Sequence, residues 1–324
     1  MSVAIVLACK SEDKKVIVCW GDSLTAPHSG NGIKGKAKRL ITGDYDYPAY
    51  LQEMLGNDYK VINAGVGGEN TLTIMARQGA FPMKLAHDVV INHNTQKKLI
   101  GNSDTIAFVS AYNGLPVTPL MQYTWKLEGP SQINPCRIGK HQFLLSSEVR
   151  TYEDYCYYLE PEDKQMTTDT LREGSVVTTY AMNHLRGKYA NVFFIGQNGG
   201  FTDVADLIRQ LSAMITYSQS DRYIVISFHK RNHVIKTIPR MIEMEDSLSR
   251  HFGEHYINLR RLMVTRGLAD ANLVLTKTDM DSIAKGVVPP QLLADDCHFT
   301  TQGYNVIAKL VFSRMEELGY LPNK

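Results

Sequence analysis

The chain has 324 residues, 44% of them apolar and 21% charged. These are ordinary globular proportions, which exclude a disordered or fibrous chain, and the length allows roughly two domains. A formal net charge of +2 gives no reason to expect a nucleic-acid partner. The short basic runs, residues 34–39 and the pair Lys230-Arg231, read as solvated faces.

At the N-terminus, apolar residues 3–8 lead to Cys9 and then to the polar run 10–15. A short apolar stretch, a cysteine and a charged tether look like the back half of a bacterial lipoprotein signal. On that reading Cys9 carries a lipid anchor and the protein sits in the cell envelope. A true start upstream of Met1 would supply the missing basic segment. The competing reading is a frayed tail, 1–15, on a cytoplasmic protein. No apolar run reaches the ~18 residues of a membrane-spanning helix. The five cysteines, at 9, 19, 136, 156 and 297, form no CxxC pair. Neither a zinc ribbon nor a disulfide scaffold is expected. Cys136 and Cys156 are a candidate bridge in an oxidising compartment.

Residues 16–20 form a continuous apolar run closed by Gly21-Asp22, the pattern of a strand buried on both faces. Residues 47–55 read as a short helix. Residues 59–63 read as a second strand, ending in the cluster Gly65, Gly67, Gly68. The stretch 84–188 breaks the rhythm. It is rich in Tyr, Thr and Pro, and it alternates instead of cycling. Residues 142–145 and 151–159 look like strands there, with turn signals at Asn113-Gly114 and Gly129-Pro130. It is too long for a loop and reads as an inserted, mostly β subdomain. Residues 191–195, 222–228 and 255–259 read as further strands. Between them, Val204, Leu207, Ile208, Leu211 and Ile215 mark one helical face, and 238–252 a second helix with Pro239 in its first turn. The last helix, 304–318, buries Ile307, Leu310, Val311 and Met315, with Gly303 before it and Gly319 closing it. Strands alternating with helices imply a doubly wound, parallel α/β sheet.

Four segments carry the chemistry. Ser23 follows the first strand, where open α/β sheets place ligands. It reads as a nucleophile or as a helix N-cap. Asp295 and His298 stand three apart before the last helix. In a tight turn that spacing brings a carboxylate to Nδ1 of the imidazole and leaves Nε2 to take a serine proton. An exposed Asp/His pair is the plainer alternative. The glycines of residues 63–70 follow the second strand, and Gly196-Gln197-Asn198-Gly199-Gly200 follows the third. These supply backbone N–H groups and an asparagine amide for a developing oxyanion, or simply Gly-rich turns. A GxGxxG dinucleotide fingerprint is not supported, because position 70 is Asn.

Together, the four segments resemble the SGNH, or GDSL, hydrolase family. Gly21-Asp22-Ser23-Leu24 matches its first block, with Ser23 as nucleophile. Residues 63–68 look like the second block, whose glycine N–H, here Gly68, joins the oxyanion hole. Gly196-Gln197-Asn198 resembles the third block, with Asn198 as side-chain donor. Asp295 and His298 match the last, as acid and base. Two features depart from the family: Gly199 stands where the third block has Asp, and ~100 residues intervene between blocks two and three.

The resemblance implies a three-layer α/β/α core with a flavodoxin-like parallel sheet of about five strands. The core covers 16–83 and 186–324, with 84–185 inserted. It implies a serine ester hydrolase that forms an acyl-enzyme and needs no cofactor. A carbohydrate acyl ester, acetyl foremost, is the first choice of substrate. Short-chain lipid esters or thioesters come second. A glycan-binding protein with a vestigial hydrolase core is the rival from another class. The remaining histidines show no HExxH or clustered pattern, so no metal is expected. Asp296 is the local rival of Asp295, and Cys297 reads as a bystander. Trp125, Tyr123, Tyr152, Tyr155, Tyr157 and Tyr158 read as core or sheet face, with sugar stacking as the alternative. Oligomeric state leaves no mark in the sequence.

Overall fold

The computed structural model describes residues 14–26, 46–92, 97–119, 132–151, 154–163 and 168–322. The lipid-anchor reading at Cys9 lies outside them, as do Tyr123, Trp125 and Tyr152. In chain order the elements are β1 (Lys15–Gly21), α1 (Tyr47–Leu55), β2 (Tyr59–Gly65), α2 (Thr71–Gln78), β3 (Met83–Leu85), β4 (Val89–Ile91), β5 (Lys98–Asn102) and β6 (Phe108–Ser110). Then come β7 (Cys136–Ile138), β8 (His141–Thr151), β9 (Asp154–Pro161), β10 (Asp169–Leu171), β11 (Val177–Thr178) and α3 (Tyr180–His184). The chain ends with β12 (Ala190–Phe194), α4 (Val204–Ser218), β13 (Tyr223–Ile226), α5 (Ile238–Phe252), β14 (Tyr256–Ile257), α6 (Leu259–Asp270), α7 (Lys277–Ala284) and α8 (Thr301–Glu317).

Five strands form one parallel sheet in the order β14-β13-β12-β1-β2. The centre of this sheet explains the unbroken apolar run in β1. Ile17 and Cys19 face a core shared with α1, α6 and α8. Val18 and Trp20 face a second core, shared with α2, α4 and α5. Successive side chains of a strand point to opposite faces, so a strand covered on both sides must be apolar at every position.

The helices start where side chains can take their orphan N–H groups. Asp46 caps α1, Asn70 and Thr73 form a capping box on α2, and Asp203 and Thr237 cap α4 and α5. The last helix begins earlier than residue 304. Thr300 is its cap, and Gly303 lies inside the first turn instead of before it. A Cβ at Gly303 would stand 2.5 Å from the Leu292 carbonyl oxygen, so a glycine is needed in the helix.

Between β3 and β11 the chain is mostly antiparallel. One five-stranded sheet runs β11-β7-β8-β9-β5, and β10-β4 and β3-β6 are two-stranded. The strand expected at 151–159 is divided: β8 ends at Thr151, which pairs with Asp154 at the start of β9. The hairpin carries neither Gly nor Pro at this point, so nothing in its composition marked the boundary. Phe108, Phe143, Leu159 and Tyr157 form a third core. Val66 and Ala76 belong to that core too, so the β region packs directly on the glycine segment after β2. Cys136 and Cys156 are both free thiols and do not bridge.

Candidate active site

Parallel registry brings the strand ends level. Gly21 pairs with Gly65 of β2 and with Phe194 of β12. The three segments that follow therefore meet at one edge of the sheet. Close packing there requires glycine. A Cβ on Gly21 would lie 2.7 Å from the Phe194 carbonyl oxygen, and one on Gly65 2.3 Å from the Ala26 nitrogen. Asn63 ties the second segment to the first: its amide donates to the Thr25 carbonyl at 2.6 Å and its oxygen accepts the Gly65 N–H at 2.9 Å.

Ser23 sits in the tight turn after β1. Asp22, not Ser23, caps that turn: its Oδ1 accepts the Leu24 N–H at 2.9 Å. The Ser23 hydroxyl points elsewhere, 2.9 Å from His298 Nε2. His298 Nδ1 lies 2.8 Å from Asp295 Oδ2. The other oxygen of Asp295 accepts the Cys297 N–H at 2.7 Å and the His298 N–H at 2.6 Å. Burial works to raise the Asp295 pKa, but these bonds from His298 and Cys297 outweigh it and hold the carboxyl below its ordinary value. An ionised Asp295 makes Nδ1 the donor and leaves Nε2 to accept the serine proton. This hydrogen-bond chain is the arrangement that makes a serine nucleophilic.

The flanking side chains play no part in that chain. Asp296 is 87% exposed and bonds Lys230 Nζ at 2.5 Å. Burial pushes the Cys297 thiol up to about 12, which leaves almost no thiolate at neutral pH.

The proposed oxyanion donors stand on the neighbouring segments. Gly68 has φ +77°, a left-handed conformation that favours glycine. Among the described residues, the N–H groups of Ser23 and Gly68 donate to no acceptor. The Asn198 amide donates to the Glu69 carbonyl at 3.1 Å and to Asp22 Oδ2 at 3.3 Å. Gly199 also has a positive φ, +72°, and a Cβ there would stand 2.3 Å from the His233 ring. The departure from Asp at this position therefore has a local cause.

Sequence reading missed three supporting groups. Asp22 is fully buried, and burial raises its pKa from 3.8 to about 7, against the opposing pull of the Leu24 N–H and His298. Gln197 clasps the loop after β13: its oxygen accepts the His229 and Lys230 N–H groups, both at 3.2 Å. Glu69 and Arg77 form a buried ion pair at 2.8 Å under the glycine segment. Asp22, Gln197 and Glu69 lay inside the motif segments, where the serine, asparagine and glycines beside them drew the attention. Tyr157 is buried in the β core, while Tyr155 and Tyr158 of β9 are half-buried. No metal-binding cluster occurs among the described residues, and none of their helices is long and apolar enough to cross a membrane.

No protein-family profile matches the chain, and no curated protein matches it significantly. Among solved structures, the native aryl esterase of M. smegmatis is similar at 11% identity and a TM-score of 0.37, covering 95% of this chain and 100% of that one. So distant a likeness does not bear on the activity, and the functional reading stands on the geometry of Ser23, His298 and Asp295.

Proposed function

We propose that the protein is a serine ester hydrolase of the SGNH type. The observation that carries this reading is the unbroken chain Ser23–His298–Asp295, with contacts of 2.9 and 2.8 Å. The strand order and the two cores flanking the sheet support a three-layer, flavodoxin-like fold for it. Ser23 Oγ attacks the acyl carbonyl as His298 Nε2 takes its proton. Asp295 holds the imidazole in the required tautomer and stabilises the imidazolium. The N–H groups of Ser23 and Gly68 receive the negative charge that develops on the carbonyl oxygen, joined by the Asn198 amide once it gives up its longer, 3.3 Å bond to Asp22. His298 then gives its proton to the departing alcohol oxygen. Water, deprotonated by the same nitrogen, attacks the acyl-enzyme and releases the carboxylic acid.

Within this reaction class we place a carbohydrate acyl ester first, acetyl foremost, on the half-buried rings of Tyr155 and Tyr158. A short-chain lipid ester or thioester is the second reading, favoured by the aliphatic side chains Ile238, Val287 and Val288 that line a cavity bordering Asp295. An aryl phosphonate ester tests the reaction itself. It should add once, at Ser23, and abolish activity; an unmodified Ser23 under conditions that label a control serine esterase overturns the assignment. Acetate release from acetylated glycans, beside a p-nitrophenyl acyl series, separates the two donors.

A further inference from the structure

The Asn198 amide has two N–H bonds to give, and both have acceptors. One is the Glu69 carbonyl at 3.1 Å, the other Asp22 Oδ2 at 3.3 Å. An oxyanion takes an N–H from this amide only by displacing one of them. The Glu69 carbonyl is the fixed one. The Glu69 N–H donates to the Val66 carbonyl at 3.3 Å, its side chain is paired with Arg77 at 2.8 Å, and Arg77 donates to the Ala64 carbonyl at 2.9 Å. The Asp22 bond is the longer, and its acceptor is a group that can change charge.

Asp22 is buried and directly precedes the nucleophile. Its Oδ1 is committed to the Leu24 N–H at 2.9 Å, which leaves Oδ2 for Asn198. The titratable groups that face it are His298 and Cys297 from the turn before α8, Tyr304 of α8, and Glu69 with its partner Arg77. Burial pushes the Cys297 thiol up to about 12 and the Tyr304 phenol well above its ordinary value, so both stay neutral at the pH values that concern Asp22. Burial and the Glu69 carboxyl work against an Asp22 carboxylate, the Leu24 N–H and His298 favour it, and the balance lies at about 7. A neutral carboxyl is a modest acceptor. A carboxylate holds the Asn198 N–H by a charge-assisted bond roughly twice as strong. It also sets a negative charge close to the one that develops on the substrate.

We propose that Asp22 is a positioning residue of the oxyanion hole: as the neutral acid it releases the second Asn198 N–H to the oxyanion, and as the carboxylate it withholds it. This rests on the serine hydrolase reading above. Two titrations then act in opposite directions. His298 must lose its proton to accept that of Ser23, whereas Asp22 must keep its own. Activity is confined to the band between them. A role for Asp22 only as the cap of the turn after β1 would move stability and leave no such mark on turnover.

Turnover of p-nitrophenyl acetate between pH 5.5 and 9 tests it, in wild type, Asp22→Asn, Asn198→Ala and the double variant. Wild-type kcat should pass through a maximum and fall by about tenfold or more at pH 9, a part of what a lost oxyanion donor costs. That fall should be absent from Asp22→Asn and from Asn198→Ala. Adding Asp22→Asn to Asn198→Ala should change kcat by less than about threefold at pH 9, because the acid acts only through the amide. A fall that survives in either single variant, or a wild-type kcat that does not fall, overturns the proposal. If Asp22→Asn does not fold, the side-chain amide ¹H and ¹⁵N resonances of Asn198 in wild type decide. They should titrate over the same pH range as the fall in kcat, and unmoved resonances overturn the proposal. A protein that neither turns over the ester nor reacts with the phosphonate fails the hydrolase reading itself. One that is labelled at Ser23 but lacks this pH dependence fails only the assignment of Asp22.

Discussion

The Asn198 amide donates to the Asp22 carboxylate across 3.3 Å, joining the segments that follow β12 and β1. Burial raises the Asp22 pKa from 3.8 to about 7. The folded protein thus holds this proton more tightly than the unfolded chain does. The resulting stability is complete below the unfolded value and is lost as pH rises through about 7. At 1.36 kcal/mol per pH unit, it amounts to at most about 4 kcal/mol. Between pH 4 and pH 8 the wild-type Tm should therefore fall more steeply than that of Asp22→Asn. Parallel curves would show that Asp22 does not titrate as its burial requires.

Asp295 and Asp296 are neighbours with opposite surroundings. Asp295→Asn leaves the His298 ring free to adopt the wrong tautomer, and kcat should drop about 10²–10⁴-fold. Asp296→Asn removes only an exposed pair with Lys230, so its cost should stay below about tenfold. Both values come from one p-nitrophenyl ester assay, and the reverse order refutes the assignment of the acid.

Asn198→Ala removes the side-chain donor from the oxyanion position. The expected loss is about 10²–10³ in kcat. A kcat within a few-fold of wild type would leave the charge to the two backbone N–H groups alone.

Gly199→Asp restores the residue of the resembled motif and should still destabilise the protein. His233 is exposed and can swing aside, so the backbone decides: at φ +72° even Asp, which tolerates the left-handed region better than most residues, should cost up to about 1 kcal/mol. Urea unfolding measures this directly, and an unchanged midpoint contradicts it.

Three segments of the candidate site were legible because they follow apolar strands closed by glycine. Trp20-Gly21 and Ile195-Gly196 each mark the point where a buried strand meets the sheet edge. The helix α6 was not legible, for a physical reason. Arg260 interrupts its apolar face, yet it is buried against Glu245, with Nη2 2.5 Å from Oε2. A charge matched by a partner 15 positions away looks in sequence like a solvated residue. The same holds for α2, where buried Arg77 pairs with Glu69. His229, 3% exposed, escaped notice because its ring packs on Phe299, 70 positions further on.

Ser23 and His298 are separated by 275 positions, yet their side chains touch. The serine is therefore synthesised 275 residues before its partner. The helix α8, which begins three residues after the imidazole, packs against α1. A growing chain therefore carries its nucleophile in an inert form until the segment that bears His298 has been made and folded. Losing the segment that bears Asp295 and His298 to premature termination or proteolysis would return it to that dormant state with the serine untouched.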